Sequence, residues 1–242
     1  MNPPKVLICT PVHYHIEFAT QECIQNLRAT AKANVIGWKL KMGDSLISRV
    51  RNQMAEDFLK TDADYMLTID SDLVFPCGGF MPNLSNTTFF DPNRWRKNAL
   101  DVLLSHQKEI VSAVYFKKIR PHGPSLKFLQ DGFNSDENDS VATQYNWMQM
   151  QGLLELRYVS TGFLLVHRKV FESFEYPWYQ PFVYEGEYLS EDWAFCQRAR
   201  DKGFSIFADP SLQLGHIGQY VFTAADYMIQ RKIVQNGGKL TL

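Results

Sequence analysis

Tyr65-Met66-Leu67-Thr68-Ile69-Asp70-Ser71-Asp72 is the stretch that decides the fold of this 242-residue chain. Its first five residues are mostly apolar or aromatic, which predicts a buried strand, and the run stops at two carboxylates separated by one serine. Side chains alternate along a strand, so Asp70 and Asp72 face the same side, where their oxygens can bind a divalent cation or a sugar hydroxyl. The alternative interpretation is a solvated turn that closes the strand.

The segments before this stretch alternate between strand and helix patterns. After this stretch a further helix is expected over residues 93–106. Before it, the expected elements are a strand over residues 6–10, a helix over 17–31, a strand over 34–40 and a helix with Asp44 or Ser45 as its N-cap. This order predicts an α/β fold, in which a single mostly parallel sheet is flanked by helices. Asp70-Ser71-Asp72 then lies at the carboxyl edge of the sheet, beside Thr10-Pro11, where ligands of such sheets bind.

Composition limits the classes of function. The chain is 45% hydrophobic, which suits one domain over residues 1–242, and its formal net charge of −1 argues against a nucleic-acid partner. The four cysteines are far apart and form no metal or disulfide pattern, which is typical of a reducing compartment. No apolar run has the length of a signal segment or a membrane span, so we predict a cytoplasmic location.

The second half of the chain adds three polar features. Ser160-Thr161-Gly162-Phe163 interrupts two short strand patterns at a Thr-Gly kink, and His216 lies in an expected glycine-flanked loop. Glu191 and Asp192 open a helix for which Ser190 is the expected N-cap, although acids in a first turn also complement the helix dipole without any catalytic role. The basic segment 117–124 is interpreted either as a contact for an anionic diphosphate or as a solvated connection.

Together these features resemble a known family of enzymes. An apolar strand ending in Asp70-Ser71-Asp72, a preceding Arg-x-Arg-Asn helix, the Thr-Gly kink, the Glu191-Asp192 helix and the late His216 occur in the order found in A-type glycosyltransferases. The resemblance covers nearly the whole chain. It is strongest to small inverting enzymes of bacteria, phages and large viruses that use nucleotide sugars, and it implies their Rossmann-like nucleotide-diphospho-sugar transferase (GT-A) fold.

The resemblance also implies roles for individual residues. Asp72, Asp70 and His216 are the expected ligands of Mn²⁺ or Mg²⁺, and Asp192 is the expected general base, with Glu191 as its competitor. The donor, for which a UDP-sugar is favoured, is expected against Thr10, Pro11, Arg49, Arg51, Asn52, Asp70 and Ser71. Residues 1–116 would form the nucleotide-sugar half, residues 117–222 the acceptor and catalytic half, and residues 223–242 a C-terminal helix and tail.

The sequence also departs from the family and leaves alternatives. No Arg-Trp pair follows the acidic helix, which favours transfer of one sugar to a carbohydrate acceptor over processive synthesis. A haloacid-dehalogenase-like phosphatase would use Asp70 as nucleophile, but that class places the motif on its first strand. A nucleotidyltransferase would require a glycine-rich loop after the first strand, which Thr10-Pro11-Val12-His13-Tyr14 lacks. A non-catalytic carbohydrate-binding module on the same fold is the remaining alternative.

Overall fold

The structure, a computed structural model, is built on a sheet of eight strands, and it describes residues 2–82, 92–118, 123–131, 144–147, 149–218 and 221–235. In chain order the strands of this sheet are β1 (Lys5–Val12), β2 (Asn34–Met42), β3 (Tyr65–Ile69), β5 (Ile110–Val114), β6 (Leu126–Phe128), β7 (Leu154–Val159), β8 (Phe163–His167) and β11 (Ile206–Gln213). A three-stranded sheet contains β4 (Leu73–Val74), β12 (Gly215–Ile217) and β13 (Val221–Phe222), and a hairpin contains β9 (Phe182–Tyr184) and β10 (Glu187–Leu189).

Most strands of the large sheet point the same way. Its order is β2-β1-β3-β8-β5-β11-β7-β6; β1 is parallel to β2 and β3, and β5 is parallel to β11. Only β8 and β7 run against their neighbours, so six of the eight strands share one direction. The predicted α/β class, with one mostly parallel sheet, is therefore confirmed.

Seven helices accompany the sheets in the described part of the chain. They are α1 (Phe18–Thr30), α2 (Ile47–Leu59), α3 (Pro92–Trp95), α4 (Ala99–Ser105), α5 (Arg168–Glu172), α6 (Glu191–Asp201) and α7 (Ala224–Gln235). The expected C-terminal helix is thus present as α7, while residues 236–242 lie outside the described residues. The division of the chain into two functional halves remains a prediction.

Both faces of the large sheet are buried. Alternation along β1 sends Leu7 and Cys9 into one hydrophobic cluster, and Val6 and Ile8 into a second cluster on the opposite face. The first cluster receives the apolar side of α2 and α6, and the second receives α1 and α4. A strand that is buried on both faces needs apolar residues at nearly every position, which explains the uninterrupted apolar run at its start.

Three local expectations need correction. The N-cap of α2 is Leu46 rather than Asp44 or Ser45; Asp44 instead accepts a hydrogen bond from the Leu46 N–H at 2.9 Å. The expected helix over residues 93–106 is two helices, because Asn98 breaks the run and caps α4 through its side chain. His216 does not lie in a loop: it is in β12, where it pairs with Leu73 of β4.

No helix in the described ranges has the length and apolar character needed to cross a membrane.

Candidate functional site

A cleft of about 250 Å³ opens at the carboxyl ends of β1 and β3, against the first turns of α2. Parallel pairing of β1 with β3, in which Cys9 lies beside Thr68, brings the segments that follow both strands to this edge. The lining residues are Pro11, Val12, His13, Asp44, Ser45, Ile47, Val50, Arg51, Asp70, Ser71 and Asp72. The edge of the sheet expected from the sequence therefore carries a cleft, with both aspartates of the Asp-x-Asp motif in its wall.

Arg51 and Asp70 form the buried charged pair of this wall. Arg51 Nη2 donates to Asp70 Oδ1 at 2.9 Å and to Oδ2 at 3.3 Å, and the side chain of Arg51 is only 5% exposed. Burial lowers the pKa of Arg51, but the charges of Asp70 and Glu191 outweigh burial and raise it, so the guanidinium stays charged. Nε and Nη1 of Arg51 are buried with no hydrogen-bond partner among the described residues.

The other residues of the Arg-x-Arg-Asn helix have different surroundings. Arg49 forms an ion pair with Asp44 on the surface, with Nε 2.5 Å from Oδ2, and its side chain is 56% exposed. Asn52 is buried, where it donates to the Ser48 carbonyl at 2.8 Å and accepts from the Tyr179 N–H at 3.0 Å. Of the three, only Arg51 lines the cleft.

Thr10 and Pro11 both lie within β1, which extends beyond the expected end at residue 10, and their side chains have different surroundings. Pro11 lines the cleft, whereas Thr10 is fully buried and its hydroxyl accepts a hydrogen bond from Trp38 Nε1 at 3.0 Å. Of the expected donor-side residues, Pro11, Arg51, Asp70 and Ser71 thus line one cleft, while Thr10, Arg49 and Asn52 are not part of its lining.

Asp72 lies between two basic side chains. Its Oδ1 is 3.5 Å from His216 Nε2, and its Oδ2 accepts a hydrogen bond from the ammonium of Lys118. The backbone holds this arrangement, because the Ile217 N–H donates to the Asp72 carbonyl at 2.7 Å while β12 pairs with β4. Burial raises the pKa of Asp72, but His216 and Lys118 outweigh burial and bring it to about 2, so the carboxylate is ionised.

The donor set at Asp72 fits a hard divalent cation. His216 Nδ1 lies 2.9 Å from the Phe116 carbonyl, which can only accept, so Nδ1 carries the proton and Nε2 faces Asp72 as a potential ligand. No group of three or more His, Cys, Asp or Glu side chains that would hold a metal occurs among the described residues. Asp72 and His216 would therefore supply two ligands, and the remaining positions would go to oxygens of a bound diphosphate or water.

Glu191 and Asp192 open α6 close to the Arg51–Asp70 pair. Glu191 Oε1 is 3.7 Å from Arg51 Nε, and burial followed by the charge of Asp192 raises the pKa of Glu191 despite this attraction. Asp192 Oδ1 accepts from the Ser190 hydroxyl and from the Trp193 N–H, the latter at 2.8 Å. Ser190 is the N-cap, as expected, but its hydroxyl bonds to Asp192 instead of capping the helix backbone.

Tyr115 is buried beneath the site, where it contacts Gly162 and His216. Its hydroxyl accepts a hydrogen bond from the Gly162 N–H at 3.1 Å, and its ring meets the ring of His216 edge-on at 5.3 Å between centroids. Burial first, and then the charges of Asp70 and Asp192, raise the pKa of the Tyr115 hydroxyl. A Cβ atom on Gly162 would lie 2.8 Å from Asp70 Oδ2, so the Thr-Gly kink permits a close approach that no larger residue allows.

The structure adds residues to the site that were not assigned to it from the sequence. His13 and Ser45 line the cleft, Lys118 contacts Asp72, and Tyr115 supports Gly162. His13 carried a usable signal, because it lies directly after Pro11-Val12, at the end of the first strand. Lys118 lies in the basic segment for which a diphosphate contact was one of two interpretations. Tyr115 gave no signal, because an aromatic residue that ends a buried strand is also typical of a core.

Comparison with known proteins supports the fold. No protein-family model and no curated protein matches the sequence. Among solved structures the chain is similar to A197 from STIV, with 14% identity, a TM-score of 0.54 and coverage of 88% of this chain and 86% of that one. At this identity the likeness shows a shared fold.

Two further solved structures overlap with nearly the whole chain at lower scores. GalNAc-T7 with UDP, GalNAc and Mn²⁺ has 9% identity and a TM-score of 0.49, and the match covers 96% of this chain but 48% of that one. CMP:2-keto-3-deoxy-manno-octonic acid synthetase complexed with CTP has 13% identity, a TM-score of 0.45 and coverage of 96% and 99%. At TM-scores below 0.5, neither likeness carries an argument about this chain's chemistry.

Proposed function

We propose that this protein is a metal-dependent glycosyltransferase that moves one sugar, with inversion, from a nucleotide-diphosphate sugar to a hydroxyl of a carbohydrate acceptor. The observation that carries the proposal is a cleft at the carboxyl edge of β1 and β3 whose wall contains the Arg51–Asp70 pair and Asp72, and His216 approaches that Asp72 at 3.5 Å. UDP-sugars are the first donors to test.

The chemistry of the leaving group explains this set of residues. A departing nucleotide diphosphate gains negative charge as the glycosidic bond breaks, and Mn²⁺ or Mg²⁺ held by Asp72 and His216 would neutralise that charge without a proton. Asp70, fixed by Arg51, can accept hydrogen bonds from donor hydroxyls. Arg51 Nη1 is buried and has no hydrogen-bond partner among the described residues, and this favours a ligand, because an unsatisfied buried donor costs about 1–3 kcal/mol.

The acceptor side is assigned to α6. An attacking hydroxyl must lose its proton in a single displacement, and Asp192 is the proposed base. Both hydrogen bonds of Asp192 go to Oδ1, and Oδ2 accepts none from the residues that the structure describes, so this oxygen is available to a substrate hydroxyl. Glu191 is the competing base, but its contact with Arg51 favours a role in holding that guanidinium.

The alternative classes fit less well. Asp70 follows β3, the third strand in chain order, whereas a haloacid-dehalogenase-like nucleophile follows the first strand. A non-catalytic carbohydrate-binding module is distinguished from an enzyme by turnover: it would bind ligands but release no nucleotide.

The four cysteines are free thiols in the structure, and we retain a cytoplasmic location as part of the proposal.

The test is a screen of UDP-, GDP- and dTDP-sugars with and without Mn²⁺, read by thermal unfolding and by nucleotide release. A donor at a hundred times its Kd should stabilise the protein by about 2.7 kcal/mol. Asp72→Ala and His216→Ala should weaken Mn²⁺-dependent donor binding, while His15→Ala, at an exposed histidine, should not. The proposed function is wrong if no nucleotide sugar stabilises the protein or is turned over. It is also wrong if donor binding by both site variants depends on Mn²⁺ as it does in wild type.

A further inference from the structure

Lys118 lies at the Asp72 centre but is not among the residues to which the family resemblance assigns a role. Its ammonium contacts Asp72 Oδ2 and donates to the Ile217 carbonyl at 2.9 Å. His216 Nε2 approaches the other oxygen, Oδ1, of the same carboxylate. Both oxygens of the proposed metal ligand therefore lie beside basic side chains, and Lys118 holds one of them by a hydrogen bond.

This ion pair opposes binding of a divalent cation. A cation bound to Asp72 and His216 would lie close to the Lys118 ammonium, which contacts the same carboxylate. Two positive charges this close together repel strongly in a partly buried site. The Lys118 side chain is 34% exposed and carries its charge on a flexible four-carbon stem, so the ammonium can leave Asp72 without unfolding its surroundings. Its departure from Asp72 is more favourable when another anion receives it.

A nucleotide diphosphate is the anion that the cleft would supply. Asp72 lines the same cleft as Ser71 and Asp70, so a diphosphate that shares a cation with Asp72 must place its oxygens near the present position of the ammonium. Phosphate oxygens carry more negative charge than one carboxylate, and lysine binds them as a point charge. The ammonium would exchange a carboxylate for a phosphate.

We propose that Lys118 competes with the divalent cation for Asp72 in the free protein and transfers to the diphosphate when both ligands bind, which makes metal and nucleotide binding cooperative. The inference rests on the proposed function for the identity of the nucleotide. It assigns Lys118 a role in specificity: the metal binds well only when a diphosphate is present. By linkage, the metal raises the affinity for the diphosphate by the same factor.

The experiment measures Mn²⁺ affinity with and without UDP, and the concentration of free Mn²⁺ is determined from the intensity of its electron paramagnetic resonance signal. In wild type, UDP should tighten Mn²⁺ binding by about tenfold or more, within the usual range of coupling between sites. Lys118→Met should bind Mn²⁺ alone about tenfold more tightly than wild type. UDP should then tighten Mn²⁺ binding by a smaller factor than in wild type, because the diphosphate still supplies metal ligands but no longer removes a competing ammonium. Lys118→Arg keeps the charge and should retain most of the coupling.

The matched control is Lys169→Met, which removes another lysine from an ion pair, with Glu109 at 2.7 Å, away from the cleft. This variant should leave both Mn²⁺ affinities unchanged, and thermal unfolding of all variants verifies that they fold.

Each remaining outcome decides the question. Equal or weaker Mn²⁺ binding by Lys118→Met, or undiminished coupling to UDP, overturns the proposal and leaves the ion pair structural. If Mn²⁺ binds but UDP affects neither protein, the proposed nucleotide function fails and the cooperative exchange fails with it. The Mn²⁺ titrations alone then show whether Lys118 competes for Asp72. Absence of Mn²⁺ binding in every variant overturns both proposals.

Discussion

Arg51 Nη2 lies 2.9 Å from Asp70 Oδ1 in the wall of the cleft, and the guanidinium that makes this contact is almost completely buried. Arg49, two residues earlier on the same helix, makes an ion pair with Asp44 at the surface, with Nε 2.5 Å from Oδ2. One helix therefore offers the same type of interaction in two environments, and comparison of the two isolates the effect of burial.

Arg51→Met should destabilise the protein by about 3 kcal/mol, because it leaves the Asp70 carboxylate partly buried without its counter-charge. Arg49→Met should change the free energy of unfolding little, because exposed pairs are screened by solvent. Urea denaturation of both variants at pH 7 measures the difference. Similar losses for the two variants would show that burial of Arg51 has no special energetic role.

Gly162→Ala should damage the site by steric contact. The added methyl group would lie 2.8 Å from Asp70 Oδ2 and would press on the Tyr115 hydroxyl, an overpacking that costs about 1–3 kcal/mol. Removal of that hydroxyl in Tyr115→Phe should relieve part of the cost. A double-mutant cycle on unfolding free energies measures the coupling, and additive effects of the two substitutions would contradict this explanation.

Glu191→Gln should stabilise the protein at neutral pH. The pKa of Glu191 is raised in the folded state above its ordinary value of 4.5, by burial and by Asp192, so the ionised form is less favourable in the folded than in the unfolded chain. The penalty develops as pH rises from 4.5 through the folded pKa and is absent below 4.5. The variant's advantage should therefore be present at pH 7.5 and disappear at pH 4.

Thermal unfolding of Glu191→Gln over this pH range measures the effect, with Glu175→Gln as a control at an exposed glutamate. An advantage that is independent of pH would assign the stabilisation to packing instead of charge.

Asp192→Asn should lower kcat by about 10²–10⁴-fold while donor affinity stays nearly unchanged, because the amide keeps the shape of the side chain but cannot take a proton. Steady-state kinetics with an identified donor and acceptor measure the effect. If Asp192→Asn turns over normally and Glu191→Gln does not, the base is Glu191. Normal turnover in both would make the first turn of α6 structural, and retention of the donor's anomeric configuration would exclude single displacement.

The sequence alone predicted the mostly parallel sheet and the edge of it that carries the cleft. Apolar runs that end abruptly at polar residues are a local signal, and they located β1, β3 and the Asp-x-Asp motif correctly. They also predicted that Asp70 and Asp72 would lie beside Pro11, because parallel strands bring their carboxyl ends to one edge. The break between β7 and β8 at the Thr-Gly kink was also visible in the pattern.

The tertiary structure decided which side chains reach the cleft. Arg49 and Arg51 are two residues apart and chemically identical, and only packing of α2 against the sheet buries one and exposes the other. His216 reaches Asp72 through pairing of β12 with β4, a contact between distant segments whose register no local pattern specifies. The position of Lys118 on Asp72 has the same origin: a flexible side chain is placed by the charges that the fold brings within its reach.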